Sequence, residues 1–158
     1  MSAKECEEKF ENREGVCPHL MKKIPITENA LIVRTDFSDQ TAWETLVAAL
    51  EEPEEPFMFN MEFLDDQENN GATVEQLMEA LPEDYPHSFM VVADAVAISQ
   101  PDHPLLVIDL FGERGREFRA LAGQVPAIEN NLSIGNMGFE EFADLVDENG
   151  IFRGFPEM

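Results

Sequence analysis

The stretch Ser88-Phe89-Met90-Val91-Val92-Ala93-Asp94-Ala95-Val96-Ala97-Ile98, followed after a short link by Leu105-Leu106-Val107-Ile108-Asp109-Leu110-Phe111, decides the fold. Two nearly uncharged apolar runs of this kind predict strands buried on both faces, in the middle of a sheet covered on either side. The link Ser99-Gln100-Pro101-Asp102-His103-Pro104 is rich in turn formers and too short for a full crossover helix, so the two strands are expected to pair antiparallel. Gly112-Glu113-Arg114-Gly115 is a second turn, leading into a short strand from Glu117 to Leu121.

Working outward toward the N-terminus, Phe57 to Leu64 alternates: Phe57, Phe59, Met61 and Phe63 share one face, which predicts a strand nearer the sheet edge. Between it and the central pair, Thr73-Val74-Glu75-Gln76 has the form of a capping box, and Val74, Leu77, Met78 and Leu81 give the inward stripe of a helix that Pro82 and Pro86 end. Ala30-Leu31-Ile32-Val33-Arg34-Thr35 is a first strand. Ser38 can cap the helix that follows, from Asp39 to Glu51, in which Trp43, Leu46, Val47 and Leu50 fall on one side. Toward the C-terminus, Pro126 opens a helix carrying Ile128 and Leu132, and a second helix carries Phe139, Phe142, Ala143 and Val146, stopped by Asn149-Gly150. Ile151 to Phe155 is apolar enough to dock back on the body. The order β-α-β-α-β-β-β-α-α predicts one α/β domain with a mixed five-stranded sheet: two parallel crossovers feeding an antiparallel meander.

Two passages carry a resemblance. Leu31 to Asp39 with Trp43, and Ile128-Glu129-Asn130-Asn131-Leu132-Ser133-Ile134-Gly135-Asn136-Met137-Gly138-Phe139-Glu140-Glu141-Phe142-Ala143, resemble a family of small acidic bacterial proteins classed only as a domain of unknown function. His103 to Leu110 fits the same pattern, so the similarity covers residues 28 to 155. It implies no activity. Where that family is expected to place Asp at the last helix cap, this chain has Gly138, and residues 1–24 are its own addition.

Length and composition frame the function classes. At 158 residues and 44% hydrophobic, the chain can bury a single core. No run reaches the length of a membrane helix and Met1-Ser2-Ala3-Lys4-Glu5 lacks the apolar segment of a secretory signal, so the expectation is a cytoplasmic protein with reduced thiols at Cys6 and Cys17. Those cysteines with His19 supply three zinc-type ligands at an unusual spacing, one short of a structural site, and the plainer reading is two unrelated thiols.

The charge is the strongest signal. Residues 1–23 hold five basic and five acidic side chains, so the net charge of −23 rests on the remainder, where five arginines face 28 carboxylates. Such a field repels nucleic acid and anionic membrane and draws in basic partners or cations. A salt-adapted structural protein would also shed lysine, but this chain keeps 12 Phe.

Site signals are individually weak. Asp36, Asp65 and Asp66 follow the first two strands, whose carboxyl ends form the rim where α/β proteins bind ligands, and could hold Mg²⁺ through oxygen; the chance scatter of 33 acids accounts for them equally. Asp94 and Asp109 interrupt apolar strands and need partners, which Arg34, His103 or Arg119 could supply as structural ion pairs. His103 has the chemistry of a general base but no activated nucleophile beside it, and reads as a surface turn residue. Arg114, Arg116 and Arg119 form a basic cluster flanked by Glu113 and Glu117. Glu129, Asn130, Asn131, Ser133 and Asn136 give an amide-rich helix that could recognise a partner's backbone or cap helices internally. Together these readings favour an acidic binding protein, an inhibitor or immunity-type protein that engages a basic partner; the alternatives are a divalent-metal-dependent enzyme using the carboxylate rim and a salt-adapted structural protein.

Overall fold

A computed structural model describes residues 23–52 and 57–155. The two cysteines, His19 and nearly all of the N-terminal appendage lie outside the described residues. The appendage's last residue, Ile24, belongs to the body: it is buried, and its N–H donates to the Ala80 carbonyl at 2.8 Å.

The chain forms one α/β domain around a mixed sheet of six strands in the order β2-β1-β3-β4-β5-β6. Strand β1 (Leu31–Arg34) lies between β2 (Glu62–Leu64) and β3 (Phe89–Ala93) and pairs with both in parallel. From β3 the sheet continues as an antiparallel meander through β4 (Pro104–Asp109) and β5 (Glu117–Leu121). The sixth strand, absent from the sequence expectation, is β6 (Ile151–Phe152), which pairs in parallel with β5. Periodicity could not reveal it, because two residues carry no period.

Both faces of the central strands are buried, as the uncharged runs require. On one side Ile32, Phe89, Val91, Leu105 and Val107 pack under helix α1 (Gln40–Leu50), α3 (Ala95–Ser99), α4 (Val125–Ser133) and α5 (Phe139–Ala143). On the other, Leu31, Val33, Met90, Val92, Leu106 and Ile108 are covered by Leu77, Ala80 and Leu81 from α2 (Val74–Glu79) and its end, together with Ile24. Successive residues alternate between the layers, the signature of strand geometry.

The local signals succeed where a side chain closes a helix end and fail where apolarity was the only guide. Thr73 and Gln76 make the expected capping box on α2. Asp39, rather than Ser38, caps α1, its carboxylate accepting the Ala42 N–H. The run from Phe89 to Ile98 is not one strand: it breaks at Asp94, which accepts the Ala97 N–H and starts α3. The alternating segment from Phe57 pairs with β1 only over Glu62–Leu64. Helix α5 ends at Ala143, well before Gly150, whose φ of 76° instead serves the turn into β6.

Candidate functional site

At the carboxyl ends of β1 and β2, where Asp36, Asp65 and Asp66 offered one possible metal site, stands an arginine. Arg34 is 2% exposed. Its Nε donates to the Asp36 carbonyl at 3.0 Å, and Nη1 donates to Gln40 Oε1 at 3.1 Å and Asp65 Oδ1 at 3.2 Å. The guanidinium lies over the rings of Phe37 and Trp43, 4.2 and 4.8 Å from their centroids. The Asp36 carboxylate takes the Ser38 N–H and hydroxyl, and that of Asp66 takes the Glu68 N–H. Among the described residues no group of three or more His, Cys, Asp or Glu is arranged to hold a metal ion. The Arg34 guanidinium brings positive charge to the Asp65 carboxylate, and a second cation at that carboxylate would be repelled.

Asp94 and Asp109 are structural. Asp94 forms a two-point pair with Arg119, Nη1 to Oδ1 at 3.0 Å and Nη2 to Oδ2 at 2.7 Å, while also capping α3. Asp109, buried at the end of β4, has no cationic partner among the described residues; it accepts the N–H groups of Phe111, Gly112 and Glu113 and so builds the turn beyond it. His103 is not a surface residue. It is buried at φ 48°, and its Nδ1 bonds to the Ala97 carbonyl at 2.8 Å, which fixes the proton on that nitrogen and ties the link between α3 and β4. Of the arginine cluster, Arg116 faces Glu113 and Asp144, and Arg114 donates to the Leu110 carbonyl.

The amide-rich helix divides its residues between two tasks. Asn131 and Asn136 hold the chain internally: Asn131 Nδ2 donates to the Ala127 carbonyl, and Asn136 Nδ2 to Asn131 Oδ1 at 2.7 Å, closing the loop between α4 and α5. Glu129, Asn130 and Ser133 line an open cleft of about 460 Å³. Its other walls are Glu28 and Asn29 just before β1, Asn60 just before β2 and His87 just before β3. The cleft therefore lies at the amino-terminal rim of the three parallel strands, opposite the rim where Arg34 sits.

The cleft is built rather than incidental. Glu129 is 5% exposed, and its carboxylate accepts the Ser133 hydroxyl and an Asn130 N–H. Burial pushes this carboxyl above the usual glutamate range, against the opposing effects of the Ser133 bond and the nearby His87. Asn130 holds the wall in place by treating Met58 as a strand neighbour would, its Oδ1 accepting the Met58 N–H and its Nδ2 donating to the Met58 carbonyl. His87 Nε2 donates to the Thr27 carbonyl, and Glu62 accepts the Asn29 N–H, so two loop walls are pinned. The Tyr85 ring packs edge-on against His87; its hydroxyl is buried without a partner, and burial pushes it up to about 12.

Around the opening the surface is apolar as well as acidic. Ile134, which lines the cleft, is 78% exposed and Met58 is 64% exposed. Beyond the same α4–α5 loop, a second hollow of about 580 Å³ is lined by Leu132, Met137 and Phe111, the last 84% exposed.

His87, Asn29, Asn60 and Glu28 were not singled out from the sequence. The available signal was topological: strands that run parallel bring the residues preceding each of them to one rim. No helix among the described residues is long and apolar enough to cross a membrane. No curated protein matches the chain. Residues 29–155 match the model of a family described as a domain of unknown function, DUF6924, and the chain belongs to that family.

Proposed function

We propose that this family member is a binding protein whose acidic surface engages a basic protein partner, in the manner of an immunity-type inhibitor. The observation that carries this reading is the employment of the arginines. Five follow residue 23, against 28 carboxylates. Arg34, Arg116, Arg119 and Arg153 pair with Asp65, Glu113, Asp144, Asp94 and Asp147, and Arg114 is bonded to a backbone carbonyl. Among the described residues, most carboxylates other than these and Asp66 pair with no arginine, so the field projects into solvent and steers positive surfaces inward. Exposed Phe111, Ile134 and Met58 add the apolar contacts that a specific interface needs beyond charge.

The test is capture from the source organism's lysate at low salt, followed by titration of the purified partner. The reading expects a protein of net positive charge that binds in fixed stoichiometry, with an association rate that falls steeply as salt is added. A partner that is acidic, or one bound equally well at high salt, overturns it.

A further inference from the structure

We propose that the cleft at the amino-terminal rim of β1, β2 and β3 is a socket for one arginine side chain of the basic partner, with Glu129 as the counter-charge at its floor. The inference rests on the binding reading above and adds the place and the chemistry of recognition.

Four independent features converge on a cation with a long stem. First, Glu129 is 5% exposed, and among the described residues its hydrogen-bond partners are the neutral Ser133 and Asn130, with the His87 imidazole nearby, in a chain that pairs Asp94 with arginine and Asp109 with several backbone amides. A desolvated carboxylate of this kind gains most from an arriving guanidinium, because a charge-assisted bond is stronger away from water. Second, the cleft is lined by the last turn of α4, whose carbonyl end is the negative pole of the helix. Third, Asn29 and Asn60 line the walls and carry amide oxygens that can take the further N–H donors of a guanidinium, while Glu28 adds a second negative charge at the exposed margin. Fourth, Ile134 lies open at the mouth, where the aliphatic stem of an arginine would cover it. A volume of about 460 Å³ suits one long side chain with its remaining water.

The other hollow, beside Phe111, carries no comparable charge logic. Its carboxylates are Asp109, which already accepts three N–H groups, and Glu140, which is exposed.

The experiment titrates the full chain with N-acetyl-arginine amide and with N-acetyl-citrulline amide, its uncharged analogue, following backbone amide resonances. Arginine amide is expected to shift Asn29, Asn60, Asn130 and Ile134 with saturation, and citrulline amide to bind at least about tenfold more weakly. Glu129→Gln keeps the size, with its amide oxygen accepting the Asn130 N–H and its amide N–H donating to the Ser133 hydroxyl, and should reproduce that tenfold loss for arginine amide without lowering the melting temperature. Ile134→Ser, at an exposed position that does not threaten folding, should cost about threefold through lost stem packing. Glu68→Gln with Glu75→Gln, two charges removed beside the opposite rim, should leave binding within about twofold, since exposed distant charges are screened.

The socket is overturned if citrulline amide binds as well as arginine amide, if Glu129→Gln binds arginine amide like the parent, or if the shifts spread evenly over the acidic surface. The broader reading fails separately. A captured basic partner indifferent to Glu129→Gln leaves that reading standing without the socket. A socket that takes arginine amide in a protein with no basic partner removes the reading instead.

Discussion

Glu129 and Tyr85 show what burial of a single polar side chain can cost. The Glu129 carboxyl is held above the usual glutamate range, first by burial, so the folded chain keeps a proton at pH values where the unfolded chain has released it. Its contribution to stability is therefore complete below the usual glutamate value and declines as pH rises through the raised one. Glu129→Gln removes that decline: the variant should melt higher than the parent at neutral pH, and the difference should vanish in acid, as read by thermal unfolding across pH. Asp147 runs the other way. Bonds from Arg153 and from the Ile151 and Asn149 amides lower its pKa, so its contribution is present above the usual aspartate range and is lost as pH falls through the lowered value. Tyr85 carries a buried hydroxyl with no partner, and Tyr85→Phe should leave stability unchanged or raise it by up to about 1 kcal/mol in chemical denaturation. A clear loss of stability would mean that the hydroxyl is bonded to water.

At the scale of elements, the instructive case is the break at Asp94. Counting apolar residues joins Phe89 to Ile98 into one strand, whereas a carboxylate followed by Ala-Val-Ala is a helix start, and the cap decides. The same carboxylate holds Arg119 on β5, so one residue ends β3, begins α3 and fastens a strand two places away in the sheet. Asp94→Ala should cost about 2–3 kcal/mol and Asp94→Asn about 1, since asparagine keeps the cap and loses the charge. A double-mutant cycle with Arg119→Ala isolates the ion-pair share, and a coupling near zero would refute that partition. What was legible in the chain follows the same division. The parallel sense of the first half and the antiparallel meander could be read from buried runs and link lengths, and α2 from its box. Strand β6 and the short extent of β2 could not, because both depend on which backbone happens to lie alongside. At the cleft, Glu129, Asn130 and Ser133 stood out as an unusual run of polar residues on a helix. The three loops opposite them are ordinary in sequence, and only the parallel packing of their strands makes them walls.

For the molecule as a whole, charge governs behaviour in solution. With a net charge of −23, the compact state repels itself, and salt relieves that repulsion once the screening length falls to about 10 Å near 0.1 M. The melting temperature should rise with added salt, by about 2–4 °C for each kcal/mol relieved in a domain of this size, and then level off. A protein that stays unfolded until salt is molar would instead be built for brine. Calorimetric titration with Mg²⁺, Mn²⁺ or Ca²⁺ should give weak, unsaturating heats, because Arg34 already pairs with the Asp65 carboxylate and Ser38 engages that of Asp36. A tight, saturable site would show that the acidic residues are organised around an ion.

The sheet's outermost strands are three residues long at β2 and two at β6. Borders so abbreviated present little unsatisfied backbone, which discourages chains from zipping together into fibres even at high concentration. They equally deny a ligand the option of lengthening the sheet with a strand of its own. Whatever docks here must be recognised through side chains, and its sequence should therefore matter more than its ability to extend.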